Sequence, residues 1–235
     1  MERITELDAL RGVAILMMAA YHFIFDIYYL GFAQIDLQFL PILLFQRATG
    51  TLFLLLAGAS LWLSERHNKE GYGRHARRGL LLAAVAALIT LGTWIYPHEG
   101  FITFGIIHMI AASTFIAPLF FRFGRLNILL GLTLITAGFF IGAVGTDSRL
   151  LFPLGVTYPG YTALDYYPLI PWFGVVLVGM EAGRIIFPRG KATWKSRDSA
   201  WASRLAFLGR NSLALYLAHQ PLILGAMMAY RALAP

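Results

Sequence analysis

The sequence predicts an all-α, polytopic transmembrane helix bundle of about seven spans, and three observations predict it. Of 235 residues, 58% are hydrophobic and only 13% are charged, whereas an ordinary soluble domain carries about a quarter charged residues. Mean hydropathy is +0.67. The apolar residues come in runs of about 20, and 20 residues rising about 1.5 Å each match a hydrocarbon core of ~30 Å. The basic residues collect between these runs in alternate loops, as membrane orientation demands. Lipid offers no partner to exposed backbone N–H and C=O groups, so the runs must be helices. Residues 1–235 are therefore expected to form a single integral membrane domain.

In chain order the expected spans are 10–31, 45–64, 79–96, 101–121, 126–145, 168–187 and 211–234. The first imitates a signal peptide at Met18-Ala19-Ala20. Glu2, Glu6 and Asp8 ahead of it, and an apolar run that continues past Ala20, favour a retained span. The third is short and ends in a tight turn at residues 97–100. The sixth opens with Pro168 and Pro171, which lack an N–H where a helix start needs none.

Orientation follows from Lys and Arg. Loop 65–78 holds Arg66, Lys69, Arg74, Arg77 and Arg78, and the next loop on that side holds Arg122 and Arg125. Arg184, Arg189, Lys191, Lys195, Arg197, Arg204 and Arg210 lie around the connection between the sixth and seventh spans. With Arg3 and Arg11, sixteen of the nineteen basic residues share one side, leaving Arg47, Arg149 and Arg231 on the other. The first side is expected to be cytoplasmic, with the N-terminus there and the C-terminus outside. The net charge of +7 is thereby explained by topology, and no nucleic-acid partner is expected. Segment 191–201, with Trp194 and Trp201 among basic residues, reads either as an amphipathic stretch on the inner leaflet or as a solvated linker. The absence of cysteine excludes disulfides, thiolate metal sites and Cys nucleophiles.

Ionisable groups at bilayer depth are costly, so each asks for a reason. His22, His108 and His219 all fall near the midplane; His22 stands roughly 18 Å above Leu10 along its helix. For each alone, a neutral imidazole bonded to a neighbouring helix is the plain explanation, and a shared polar site is the functional one. Asp26 follows His22 by one helical turn on the same face, where it would fix the imidazole tautomer and stabilise imidazolium. An Asp near the outer interface, paired with Arg47 or with water, is the structural alternative. Asp8 and Arg11 form an i,i+3 pair that either starts the helix or presents Arg11 to a phosphate. Glu181 and Arg184 read as a structural pair. Gly58-Ala59-Ser60-Leu61 loosely matches a serine-hydrolase turn without its second Gly, and small residues there more often mean close helix packing. All three lysines lie in loops, which excludes a retinal Schiff base within the bundle. The histidines have no diagnostic metal spacing, and no metal is assigned.

Five stretches carry a family resemblance. They are residues 6–15 (ELDALRGVAI) followed by His22 and Asp26, 52–61 (LFLLLAGASL), 104–108 (FGIIH), 165–172 (DYYPLIPW), and 208–213 (LGRNSL) running through Tyr216 to His219, Gln220 and Pro221. Together the chain resembles the heparan-α-glucosaminide N-acetyltransferase catalytic-domain family, over about residues 3–225. The Arg11-to-His22 spacing is also similar to the first helix of broader membrane acyltransferases that modify surface sugars, in which the His at this place is taken as catalytic. Residues 32–44 contain no His, so the catalytic role comes to His22 from that broader group.

The resemblance implies transfer of an acyl group, chiefly acetyl, from cytoplasmic acetyl-CoA to an extracytoplasmic glycan acceptor. Acetyl-CoA is then a co-substrate, with no permanently bound cofactor. His22 and Asp26 are the implied catalytic residues, and Arg11, Arg74, Arg77 and Arg78 the implied CoA-binding residues. Arg47, His108, Asp165, Trp172, Asn211, His219 and Gln220 are expected to line the acceptor site or its pocket. The expected location is a bacterial or archaeal cytoplasmic membrane, and the partners are the bilayer, acyl-CoA and the acceptor, in an arrangement compatible with a homo-oligomer. Two rivals remain open at this point: a proton-coupled carrier using His22, Asp26, His108 and His219 as a relay, and a non-catalytic membrane protein that keeps the family core.

Overall fold

The computed structural model describes residues 4–66, 70–142, 144–188 and 200–233. Its helices are α1 (Thr5–Tyr29), α2 (Leu40–Arg66), α3 (Tyr72–Ile95), α4 (Ile106–Ile116), α5 (Leu126–Ile141), α6 (Leu169–Ile186), α7 (Ala200–Arg210) and α8 (Ser212–Leu233). No strand occurs among the described residues; the sole pairing of that kind is an isolated bridge between Phe104 and Tyr166. Among the described residues, six helices are long and apolar enough to cross a membrane: α1, α2, α3, α4 with its 3-10 extension to Phe123, α6 and α8. At 16 residues α5 is shorter, about 24 Å by helical rise. The chain is thus an all-α integral membrane protein, close to the expected seven spans.

Two differences from the expected layout have physical causes. The fourth span does not begin at Phe101, because residues 101–105 are held extended by loop pairing, with the Tyr167 N–H donating to the Phe104 carbonyl at 2.9 Å. The connection before the last span contains α7, whose two arginines and short length conceal it from a search for apolar runs. Arg3, Lys69, Arg189, Lys191, Lys195, Arg197 and residues 191–199 of the basic-aromatic segment lie outside the described residues.

By contact the chain divides into two compact units, residues 1–53 with 192–235, and residues 54–191. In the first, α7 lies against the start of α1 with glycine on both helices. A Cβ on Gly12 would overlap the Leu205 carbonyl oxygen, and one on Gly209 would overlap that of Asp8. Small residues let backbones approach where lipid supplies no hydrophobic drive. Asn211 closes α7, its Nδ2 donating to the Phe207 carbonyl at 2.9 Å, and α8 starts one residue later. At the far end of α1, Arg231 Nη1 donates to the Leu30 carbonyl at 3.1 Å, placing a cation on carbonyls that the helix leaves unpaired.

In the second unit α6 is the most enclosed helix, with 56% of its apolar window buried. Its glycines explain why. Gly174 faces Gly131 of α5, Gly179 faces the Leu55 backbone, and Gly183 faces Ala59. Gly58 of α2 in turn meets the Val176 carbonyl, so the small residues around Ser60 serve packing. Ser60 itself donates to the Leu56 carbonyl. Glu181, 1% exposed, is held by the Arg184 guanidinium on the next turn. Pro168 and Pro171 do open the sixth helix, with regular helical geometry following Ile170.

Candidate functional site

The first unit brings together four polar side chains, two from the last two turns of α1 and two from the middle of α8. His22 and His219 meet edge to face, ring centroids 4.7 Å apart and planes at 77°. Beside them Gln220 Nε2 donates to both oxygens of Asp26, at 2.8 and 3.1 Å, and Asp26 is 0% exposed. A carboxyl so enclosed needs a hydrogen-bond partner, and Gln220 supplies it across the helix pair. Pro221 follows directly and withholds the backbone N–H that would have satisfied the Leu217 carbonyl.

The backbone sets the tautomer of both rings. His22 Nδ1 lies 2.9 Å from the Met18 carbonyl, and His219 Nδ1 lies 2.5 Å from the Tyr216 carbonyl. A carbonyl only accepts, so each Nδ1 carries the hydrogen, and each neutral ring keeps its lone pair at Nε2. His219 Nε2 and Gln220 Oε1 are buried with no hydrogen-bond partner among the described residues. The cluster is therefore rich in acceptors and short of donors, a setting that receives an N–H or O–H from outside.

This geometry corrects one expectation. Asp26 does not orient His22, because the i−4 carbonyl of Met18 already occupies Nδ1. Nor does Asp26 pair with Arg47, which is exposed on α2; its partner is Gln220. Arg11 Nη1 donates to Asp8 at 2.6 Å near the start of α1. Asn211 lies in this unit too, as the α7 stop already described.

The other expected residues belong to the second unit. His108 sits one turn into α4 with both nitrogens engaged. Its Nδ1 accepts the Gly105 N–H at 3.2 Å, so Nε2 carries the hydrogen and donates to Thr90 Oγ1 at 3.1 Å. Thr90 passes its own hydrogen to the Ile102 carbonyl at 2.7 Å. Asp165 Oδ2 accepts the Ile106 N–H at 2.9 Å, capping the first turn of α4 from a distant loop. Trp172 packs on Tyr167 with ring centroids 4.7 Å apart. Arg74, Arg77 and Arg78 share one turn of α3, and Arg77 is paired with Glu70.

Burial pushes the Asp165 carboxyl up to about 6, partly opposed by the Ile106 N–H, and burial also raises the phenol of Tyr161. A carboxyl whose folded value lies above its unfolded one holds a proton that the unfolded chain has released. Its stabilisation is complete below about pH 4 and falls away as pH rises through about 6. In purified protein, the thermal midpoint should accordingly fall between pH 4 and pH 6.5, and Asp165→Asn should flatten that slope. An unchanged slope in the variant would assign the pH dependence elsewhere.

A second expectation concerns the α1–α8 clasp. Gln220→Leu leaves the buried Asp26 carboxylate without its donor, at a cost of about 1–3 kcal/mol. Adding Asp26→Leu should recover most of the loss, a coupling that a double-mutant thermal series would read directly.

The family model described as heparan-alpha-glucosaminide N-acetyltransferase, catalytic, matches residues 3–221. The chain belongs to that family. No curated protein and no solved structure gives a match. As a member of the heparan-alpha-glucosaminide N-acetyltransferase catalytic family, the chain is of a membrane acetyltransferase type. Its matched region runs from ahead of α1 to Pro221 and so takes in His22, Asp26, His219 and Gln220. The partners of these side chains are not legible in the sequence. Met18 and Tyr216 act through backbone carbonyls that no side-chain pattern reveals. The Asp26–Gln220 contact joins residues 194 positions apart, which no local pattern pairs.

Proposed function

We propose that the chain transfers an acetyl group from acetyl-CoA, supplied on the cytoplasmic side, to an amine or hydroxyl of a sugar on the opposite side, with His22 as general base. The observation that carries this reading is the Nε2 lone pair of His22, which stands beside His219 in a chain of an acetyltransferase family. In the proposed reaction the acceptor N–H or O–H hydrogen-bonds to His22 Nε2, and its heavy atom attacks the thioester carbonyl carbon. A carbon–nitrogen or carbon–oxygen bond forms, the carbon–sulfur bond breaks, and the acceptor proton passes through His22 to the leaving CoA thiolate.

Asp26 and Gln220 are positioning residues in this scheme. Their clasp fixes α8 on α1 and so sets the His219 ring against His22, while the buried carboxylate favours the imidazolium that forms. The exposed guanidiniums of Arg77 and Arg78, together with Arg74 and Arg11, draw the polyanionic donor toward the cytoplasmic face. Purified protein should release CoA from acetyl-CoA only when an amino sugar or a sugar is present, with one acetylated product per CoA. Failure of every sugar offered, with the protein folded by thermal scan, would refute the assignment.

A further inference from the structure

In the second unit, residues 100–106 ahead of α4 and residues 161–167 ahead of α6 are laced together. The Leu164 N–H donates to the Gly100 carbonyl at 2.7 Å, and the Tyr167 N–H to the Phe104 carbonyl at 2.9 Å. Thr103 Oγ1 and the Tyr161 hydroxyl lie 2.9 Å apart. Residues 156–167 thus form a strap across the N-terminal end of α4. Two glycines at positive φ, Gly155 (113°) and Gly160 (76°), stand where it turns, and the space around Gly160 is open. Phe101 and Phe104, on the segment that the strap holds, also wall a cavity of about 760 Å³ between α3 and α4.

Asp165 fastens the strap. Its Oδ2 accepts the Ile106 N–H at 2.9 Å, one of the donors that a helix start leaves unpaired. The carboxyl lies so close on the Gly105 backbone that a Cβ there would overlap Oδ2. Among the described residues no cation pairs with it.

The titratable groups around it are engaged elsewhere. Within the strap, the Tyr161 hydroxyl is bonded to Thr103, the Tyr166 hydroxyl donates to the Phe152 carbonyl, and Tyr158 packs on Tyr161. On α4, His108 has both nitrogens taken, by Gly105 and Thr90. In the turn before Gly100, His98 is bonded to the Trp94 carbonyl and Glu99 is exposed. Arg149 stands over the Tyr158 ring. A carboxyl left with one neutral donor and no cation is held more readily protonated than charged, in keeping with its upward shift to about 6 by burial.

We propose that Asp165 is a proton-operated bolt, which holds the strap on α4 while protonated and, on ionising, lets the strap open and frees Phe101 and Phe104. The inference does not rest on acetyl transfer, because its readout is backbone exchange.

The test is hydrogen exchange of the purified full chain from pH 5 to pH 8, corrected for the intrinsic pH dependence of exchange and read on the Ile106, Leu164 and Tyr167 amides. Opening linked to one proton should lower their protection about tenfold for each pH unit above about 6. Asp165→Asn keeps the acceptor without the charge, so protection should stay high at every pH. Gly105→Ala pushes the carboxyl off its seat, so protection should be low already at pH 5. In all three proteins the α6 amides from Val175 to Gly183 should remain unexchanged while the strap amides exchange, which shows that the bundle is folded. Wild-type protection that does not change with pH would overturn the proposal, as would a slope that survives Asp165→Asn. Loss of α6 protection together with that of the strap would overturn it as well, because the opening would then be global.

Discussion

Replacing His22 with Ala is expected to lower acetyl transfer by about 100- to 10,000-fold, the range a positioned general base contributes. The loss should fall on kcat more than on KM, since the base acts on a proton that moves only in the transition state. Folding should survive, because the ring is held by a single bond to its own helix, Nδ1–H to the Met18 carbonyl. His22→Gln is the informative companion. Its amide still bonds locally but has no basic lone pair, so activity should stay at the Ala level. His219→Ala should cost less than His22→Ala if His219 only shapes the ring environment. An equal loss would mean that the two imidazoles share the proton.

The largest stability effect is expected from Gly174→Leu. A Cβ at Gly174 would overlap the carbonyl oxygen of Gly131, with Ile135 and Leu134 of α5 on either side. Backbone stands on both sides of that contact, so no flexible side chain can swing away. Overpacking of this kind costs about 3 kcal/mol or more. The effect should concentrate on α5, which at 16 residues is the shortest of the apolar spans and gains most from its α6 contact. Thermal aggregation of the purified variant, or fast proteolysis near residues 142–148, would report it. Gly225→Leu is the control, since a Cβ there meets nothing within 4 Å.

Much of the architecture was legible because lipid imposes so narrow a rule. Runs of apolar residues must be helices, and seven of the eight α-helices among the described residues answer to runs in the sequence. The two misses have different causes: a polar segment escapes a hydropathy argument, and an apolar segment need not be helical. α7 carries Arg204 and Arg210, and what seats it on α1 is the approach of Gly12 to Leu205 and of Gly209 to Asp8, contacts between residues distant in the chain. Residues 101–105 look like the start of a span, yet backbone pairing to residues 164–167 keeps them extended.

The site was legible in its members and not in its bonds. His22, Asp26, His219 and Gln220 were singled out by type and motif, and they do converge within one unit. The i,i+4 spacing of His22 and Asp26 suggested a direct pair. The helix backbone offered Nδ1 a nearer acceptor, and Gln220 gave the carboxylate a neutral donor. His108 shared the composition of the other two histidines but faces Thr90 and Gly105 in the second unit, an arrangement that caps α4 and that side-chain identity alone could not foretell.

The most direct test of the central claim uses sealed proteoliposomes in which labelled acetyl-CoA reaches only the face bearing Arg74, Arg77 and Arg78, with glucosamine enclosed on the other. Acetylated glucosamine should appear inside with an equal amount of free CoA outside, and both should be lost in His22→Ala. Label that stays entirely outside, or product formed equally by wild type and His22→Ala, would contradict it.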